Sequence, residues 1–193
     1  MHIWHDAEHP HKKGGVAMMR NTGLAIAACL AISACATNYA SKPASEVAKA
    51  VTVKDSQFDS SAAYIAPLTL STTKRGLFTD NESVQLVAMQ DKKSKQVTFR
   101  LAVRIMYSFD WRFYESASFN DGSRVDSINT KREVDACNSL GCIHTEELVF
   151  PIDKTRLADA GSLTFRLNSK AGAENIITIP KNYIDGFLLT VPM

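Results

Sequence analysis

The sequence lacks an excess of charge of either sign. Its 193 residues include 22 Lys or Arg and 20 Asp or Glu, which gives a formal net charge of +2. A protein that binds nucleic acid through bulk electrostatics needs a strongly basic surface, so this balance argues against nucleic acid as a partner. With 45% hydrophobic residues, the chain is also too apolar for the class of disordered proteins.

Motifs of common enzymes and cofactor-binding proteins are missing as well. The sequence contains no phosphate-binding loop, no dinucleotide fingerprint, no calcium loop and no Gly-x-Ser-x-Gly elbow. It therefore predicts no metal, no cofactor and no identifiable catalytic residue.

Histidine is scarce after residue 34, where His144 is the single one. A zinc site needs at least three protein ligands, so we interpret His144 as a surface residue beside Glu146 and Glu147. An alternative stays open, because residues two apart on a strand point to the same face. In that alternative His144 acts with Glu146 in a hydrolase-like enzyme. A deep polar cleft around His144 would favour this alternative.

Residues 18 to 35 have the layout of an export signal. Arg20 supplies a short positive start, residues 24 to 32 form an uncharged apolar run, and small residues precede Cys35. The apolar run is too short to cross a bilayer as a helix, which needs about 20 residues. Positive start, short apolar region and small-residue cleavage site together predict a secretory signal peptide.

The end of this segment, Ile32-Ser33-Ala34-Cys35, resembles the lipobox of bacterial lipoproteins. The resemblance implies that Cys35 carries the lipid and that residues 1 to 34 are removed. Ala36 follows where an inner-membrane retention signal has Asp, which implies the outer membrane. Two or three acyl chains bury enough CH₂ groups for stable anchoring. The alternatives are an ordinary signal peptide without a lipid and a coincidental apolar stretch.

The first 17 residues carry a cluster of histidines at positions 2, 5, 9 and 11. One interpretation is a metal-binding tail. We favour a start of translation at Met18 or Met19 instead, because a charged, His-rich leader is unusual before a short signal region. In either case these residues leave with the signal.

Three regions follow from these patterns. Residues 1–34 are leader and signal peptide. Residues 35–46 comprise the lipidated Cys35 and a flexible tether, since residues 36–46 are small and polar and include Pro43. Residues 47–193 form a single β-rich periplasmic domain.

Period-two alternation dominates this domain. It is clearest from Gln96 to Asp110, where the odd positions from Val97 to Phe109 are apolar. Asp121-Gly122 predicts a hairpin turn, and short helices are expected within 151–160 and 181–189. The predicted fold is mainly β, an antiparallel β-sandwich or partly open barrel with one or two short helices. Further strands are expected over 47–54, 64–70, 84–90, 111–119, 124–136, 143–150, 163–167 and 176–179.

Cys137 and Cys142 enclose Asn-Ser-Leu-Gly between two predicted strands. In an exported protein this spacing predicts a disulfide at a hairpin tip, which is worth about 2 kcal/mol in the chain-entropy model. The alternative is a redox pair, but such pairs usually have two intervening residues at the start of a helix.

Two sets of side chains are candidates for ligand contact. The aromatic residues between 107 and 119 follow the odd, core-facing positions, except Tyr114, which we expect to be exposed. Arg100, Arg104 and Arg112 share the even face and predict a basic stripe that either meets an envelope polyanion or is simply solvated.

The mature part also resembles small uncharacterised proteobacterial lipoproteins in its Trp-Arg-Phe-Tyr run at 111–114, its Asp-Gly hairpin and its paired cysteines. That resemblance implies no activity.

The sequence predicts a lipoprotein held in the inner leaflet of the outer membrane, facing the periplasm, with a binding or structural role. Its partners are the membrane, through Cys35, and an envelope protein or polyanion. A further alternative is a subunit of an envelope complex, which a wide uncovered apolar patch would mark.

Overall fold

The computed structural model of the chain describes residues 37–192. The predicted signal peptide, the histidine-rich leader and Cys35 lie outside the described residues. Within 37–192, no helix is long and apolar enough to span a bilayer.

Strands account for most of the regular structure. They are β1 (Thr52–Lys54), β2 (Ser61–Ile65), β3 (Thr69–Arg75), β4 (Phe78–Asp91), β5 (Val97–Ser108), β6 (Tyr114–Phe119), β7 (Arg124–Asp126), β8 (Asn129–Asn138), β9 (Gly141–Ile152), β10 (Ser162–Ser169) and β11 (Glu174–Pro180). The helices are a 3-10 turn (Tyr39–Ser41), α1 (Ala44–Ala50), α2 (Lys154–Ala158) and α3 (Lys181–Leu188).

The strands form two antiparallel sheets. The larger has the order β1-β2-β4-β5-β9-β8, and β3 also pairs with β4. The smaller has the order β11-β10-β6-β7. Strands β2 and β3 follow each other along one edge of β4, separated by a break that contains Pro67. Because proline donates no hydrogen bond to a neighbouring strand, the single strand expected over 64–70 is interrupted there. The mainly β, antiparallel fold is confirmed.

The alternation in β5 defines the face that packs into the core. Odd residues from Phe99 to Tyr107 are buried, whereas even residues from Arg100 to Ser108 lie on the outer face. Strand β4 contributes Leu86 and its inward neighbours to the same core, and β10 and β11 contribute Phe165 and Ile177. One continuous apolar core therefore joins residues of both sheets.

The predicted continuation of this face beyond Ser108 is wrong. Strand β5 ends there, and β6 begins at Tyr114 in the other sheet. Between them, Phe109 and Phe113 have φ angles of 81° and 54°, in the left-handed region. The chain changes direction and sheet at this loop, so the period-two parity of β5 does not carry over to β6.

The predicted return strand over 124–136 is divided. Strand β7 pairs with β6 in the smaller sheet, and β8 pairs with β9 in the larger one. The chain crosses between the sheets at Ser127, whose N–H bonds to Glu115 and whose hydroxyl donates to the carbonyl of Val149.

A further correction concerns the flexible tether that was predicted up to residue 46. From Asn38 onward this segment is packed on the domain. The Asn38 side chain donates to the Leu70 carbonyl at 2.9 Å and accepts from its N–H at 3.1 Å. The strand expected from residue 47 starts only at Thr52, because Val47 lies in α1 and is fully buried.

Helices α1 and α3 pack closely against each other. A Cβ atom at Gly186 would lie 2.4 Å from the carbonyl oxygen of Ala44 and 2.6 Å from Cβ of Val47. Only glycine permits this approach. Tyr183, in the same helix, reaches the edge of the larger sheet and donates to the carbonyl of Pro67 at 2.6 Å.

Candidate functional site: an apolar tip held by buried charges

Three connections meet at one end of the sandwich. They are the turn between β3 and β4, the loop 109–113 and the disulfide-linked hairpin between β8 and β9. The Phe109 N–H donates to the Cys142 carbonyl at 2.8 Å. The rings of Phe78 and Phe109 meet edge to face, with 4.4 Å between centroids. These contacts join the three connections into one surface.

Large apolar side chains are exposed across this end. Leu77 and Leu140 are 97% and 82% exposed. We call the exposed apolar surface the tip, and its members are Leu77, Phe78, Phe109, Phe113, Leu140 and Ile143. Single exposed apolar residues are ordinary, but a cluster of this kind marks an interaction surface.

The predicted disulfide lies at the edge of the tip. Cys137 and Cys142 are directly opposite each other on β8 and β9, and their sulfurs are bonded. Gly141, with φ of 130°, turns the chain immediately before Cys142. A Cβ atom there would lie 3.2 Å from the Phe109 ring. The glycine therefore allows the hairpin to pack closely on Phe109.

Two aromatic residues of the tip have strained backbones. Phe109 and Phe113 both have positive φ, which costs about 1–3 kcal/mol for a residue other than glycine. Such strain persists only where surrounding contacts hold it. The Phe113 N–H donates to Glu146 at 2.9 Å, and its carbonyl accepts from the N–H of Lys170 at 3.1 Å.

Glu146 is the buried acceptor that orients this loop. Its side chain is fully buried on β9 and accepts from the N–H groups of Phe113 and Tyr114, each at 2.9 Å. It also accepts from the Tyr107 hydroxyl and from Arg132 Nε at 2.9 Å. Both carboxylate oxygens are thus occupied, by donors from three strands (β5, β6 and β8) and from the loop 109–113.

Asp80 occupies a matching position on β4. Arg112 donates to both of its oxygens, at 2.6 and 3.0 Å, and Arg75 donates at 2.7 Å. Burial by itself raises the pKa of the Asp80 carboxyl, but hydrogen bonds from Arg112, Asn175 and Arg75 outweigh it and hold the pKa below its ordinary value. Asp80 is therefore ionised at neutral pH.

Asn175 and Tyr114 extend this arrangement into the smaller sheet. Asn175 Nδ2 donates to Glu82 at 2.8 Å and to Asp80 at 3.1 Å, and the Tyr114 hydroxyl donates to its Oδ1. We call the whole set the inter-sheet charge network, and its charged members are Asp80, Glu82, Glu146, Arg75, Arg112 and Arg132. Three carboxylates are balanced by three guanidinium groups.

The interpretation of His144 as a surface residue is wrong. It is only 5% exposed, and its ring lies 4.2 Å from that of Trp111. Its Nδ1 has no hydrogen-bond partner among the described residues. His144 and Glu146 share the inner face of β9, as their spacing predicts, but within 37–192 no hydrogen bond joins them. The geometry does not form the acid–base pair of the hydrolase alternative.

Two predicted ligand contacts are also corrected. Tyr114 is fully buried, because the loop before it reverses the parity on which its exposure was predicted. Arg112 lies in that loop and points inward to Asp80, so it does not belong to a basic stripe. Arg100 and Arg104 do share the outer face of β5, but Arg104 lies 3.7 Å from Glu147, which reduces the local positive charge.

Sequence reasoning missed the acidic part of the network. Asp80 and Glu82 alternate with Val84 and Leu86 at period two, so they lie on the inner face of β4. That alternation was a usable signal, but the predicted strand started only at residue 84. Asn175 alternates in the same way with Ile177 and Ile179, but the predicted strand started only at residue 176, and its role depends on contacts with β4 across the sandwich.

Across the described part of the chain, no group of three or more His, Cys, Asp or Glu side chains is arranged to hold a metal ion. Comparison with protein-family models, with curated proteins and with solved structures finds no match to this chain. The candidate site is therefore defined by its geometry. It is an exposed apolar surface above buried charged side chains that are hydrogen-bonded to one another and to the backbone.

Proposed function

We propose that this protein is a lipid-anchored domain of the bacterial cell envelope that acts by binding through the tip. The export signal and the lipobox-like residues before Cys35 support the anchor. The predicted location is the inner leaflet of the outer membrane, where the domain faces the periplasm.

The observation that carries the binding role is the contrast between the tip and the charges beneath it. Each buried carboxylate of the inter-sheet charge network already accepts hydrogen bonds from protein donors. These groups hold the loop 109–113 in a strained conformation that keeps Phe109 and Phe113 partly exposed. Strain of this kind, maintained by buried polar contacts, is typical of a built recognition surface.

Fractionation of cells that produce the wild-type chain or Cys35→Ser tests the anchor. We expect wild type in the membrane fraction, with an acylated Cys35 at its amino terminus by mass spectrometry, and the variant in the soluble fraction. An unmodified Cys35 with the leader still attached would disprove the anchor.

Accessibility of single introduced cysteines in intact envelopes tests the tip. Leu77→Cys places a thiol at the tip, and Lys93→Cys places one in the turn between β4 and β5, at the opposite end of β4. We expect a membrane-impermeant maleimide, applied after the outer membrane is opened, to label position 93 and to spare position 77. Equal labelling in envelopes and in purified protein would show that the tip contacts nothing.

A further inference from the structure

The amino-terminal segment leaves the domain beside the strand that leads to the tip. Asn38 is hydrogen-bonded to Leu70, near the start of β3. The side chain of Asn182, just beyond the far end of β11, bonds to the carbonyl of Ala40 at 3.0 Å. Followed backwards, the segment therefore runs from the end away from the tip to Leu70 at the start of β3.

Chain length limits how far Cys35 can be from the domain. Asn38 is three positions after Cys35, and an extended chain spans at most about 10 Å over three residue steps. From Leu70 to Arg75, β3 advances about 17 Å towards the tip. The covalent connection therefore keeps a lipid on Cys35 within about 10 Å of Asn38, whose partner Leu70 lies on the strand that leads to the tip.

The tip has the chemistry of a surface that meets lipid. Leu77 and Leu140 are almost fully exposed, and aromatic rings lie beside them. Nearby charges balance, since Lys170 pairs with Glu115 at 2.6 Å, Arg166 pairs with Glu174 at 2.9 Å, and the exposed Lys74 and Asp110 are opposite in sign. The surface thus favours apolar insertion over attraction to anionic headgroups.

We infer that the tip is seated in the bilayer that holds the lipid on Cys35, so that the domain lies directly on the membrane. This inference rests on the proposed lipid anchor and names phospholipid as the occupant of the proposed binding surface. The short connection holds the tip at high effective concentration next to the bilayer, so weak apolar contacts suffice for docking.

Fluorescence of the lipidated protein on phosphatidylcholine vesicles tests the inference. An environment-sensitive NBD label is attached to Leu77→Cys or, as the matched control, to Lys93→Cys. Both side chains are exposed, so neither substitution disturbs the core. We expect a blue-shifted, severalfold brighter emission at position 77 only, with quenching by nitroxide-labelled lipid.

Flotation with the vesicles separates the inference from the proposed anchor. Failure to float shows that the anchor is absent and removes the basis of both. Flotation with an unchanged signal at position 77, or with equal changes at positions 77 and 93, overturns the seating and leaves the anchor intact. A change at position 77 in native envelopes but not on vesicles overturns it in favour of a protein partner. A signal that requires phosphatidylglycerol and disappears in high salt overturns the apolar contact.

Discussion

Arg112 donates to both carboxylate oxygens of Asp80, at 2.6 and 3.0 Å. Asp80 belongs to β4 of the larger sheet, and Arg112 lies directly before β6 of the smaller one. The pair is almost wholly shielded, with side-chain exposures of 13% for Arg112 and 1% for Asp80. It therefore ties the two sheets together at the end of the sandwich that carries the tip.

We expect Arg112→Met to lower the free energy of unfolding by about 3 kcal/mol, because removal of one partner leaves a buried charge incompletely compensated. The matched control is Arg104→Met, which breaks a largely exposed pair with Glu147. That control is expected to cost less than about 1 kcal/mol. Urea unfolding followed by circular dichroism measures both, and equal effects would contradict the inter-sheet role of Arg112.

The depressed pKa of Asp80 predicts acid sensitivity. Its ordinary pKa is 3.8, and the folded state lowers it through hydrogen bonds from Arg112, Asn175 and Arg75 that outweigh the opposing effect of burial. A lowered folded pKa adds stability that is present above 3.8 and is lost as the pH falls through the folded value. We expect the urea midpoint to decrease between about pH 5 and pH 2. Asp80→Asn should decrease less steeply over that range, and an identical slope would refute the assignment.

Glu146→Gln tests whether the network holds the loop 109–113. The amide keeps the volume but replaces one of the two acceptor oxygens with a donor, which then faces the N–H group of either Phe113 or Tyr114 and disturbs the loop that both belong to. We expect faster hydrogen exchange at these two amides, by roughly tenfold for each 1.4 kcal/mol of lost local stability. The matched control is Glu147→Gln on the outer face of β9, which should leave both rates unchanged.

Gly186→Ala tests the packing of the amino-terminal segment on α3. The added methyl group would lie 2.4 Å from the Ala44 carbonyl, so α1 must move away from α3. We expect a loss of about 1–3 kcal/mol in unfolding free energy, as for other overpacked sites. At Gly161 an added Cβ atom meets nothing within 4 Å, so Gly161→Ala is the control and should be nearly neutral. A neutral Gly186→Ala would mean that α1 is not held against α3.

Removal of the disulfide tests its part in the tip. We expect Cys137→Ser combined with Cys142→Ser to lose about 2 kcal/mol by the chain-entropy model. Alkylation of folded wild type without reductant should leave both cysteines unlabelled. Labelling of Cys137 and Cys142 under those conditions would show that the bond does not form.

Local patterns were sufficient wherever a residue's partners lie on its own hairpin. The alternation through Tyr107 located the inner face of β5, and Asp121-Gly122 located the turn after β6. The pair Cys137 and Cys142 was predictable because a short loop brings their strands into register. In each case the spacing along the sequence fixes the neighbour in space.

The misplaced residues depend on contacts that lie beyond their own hairpin or helix. Tyr114 was expected to be exposed because its position is even, yet positive φ at Phe109 and Phe113 reorients the chain before it. The 36–46 segment is polar enough for a tether, yet Asn38 and Asn182 bind it to the domain through backbone groups. Composition does not encode such contacts, since they depend on which distant strand or helix lies alongside.

The amino-acid sequence by itself determined the strand-rich fold, the inward face of β5 and the disulfide hairpin. It also predicts the export signal. These features depend on periodicity and on neighbours within a few residues. Only the tertiary structure decided that Asp80, Glu146 and Asn175 meet beneath the tip, and that His144 is buried beside Trp111. Burial and hydrogen bonding between two sheets are properties of the packed sandwich, because the bonded residues are as many as 100 positions apart in the chain.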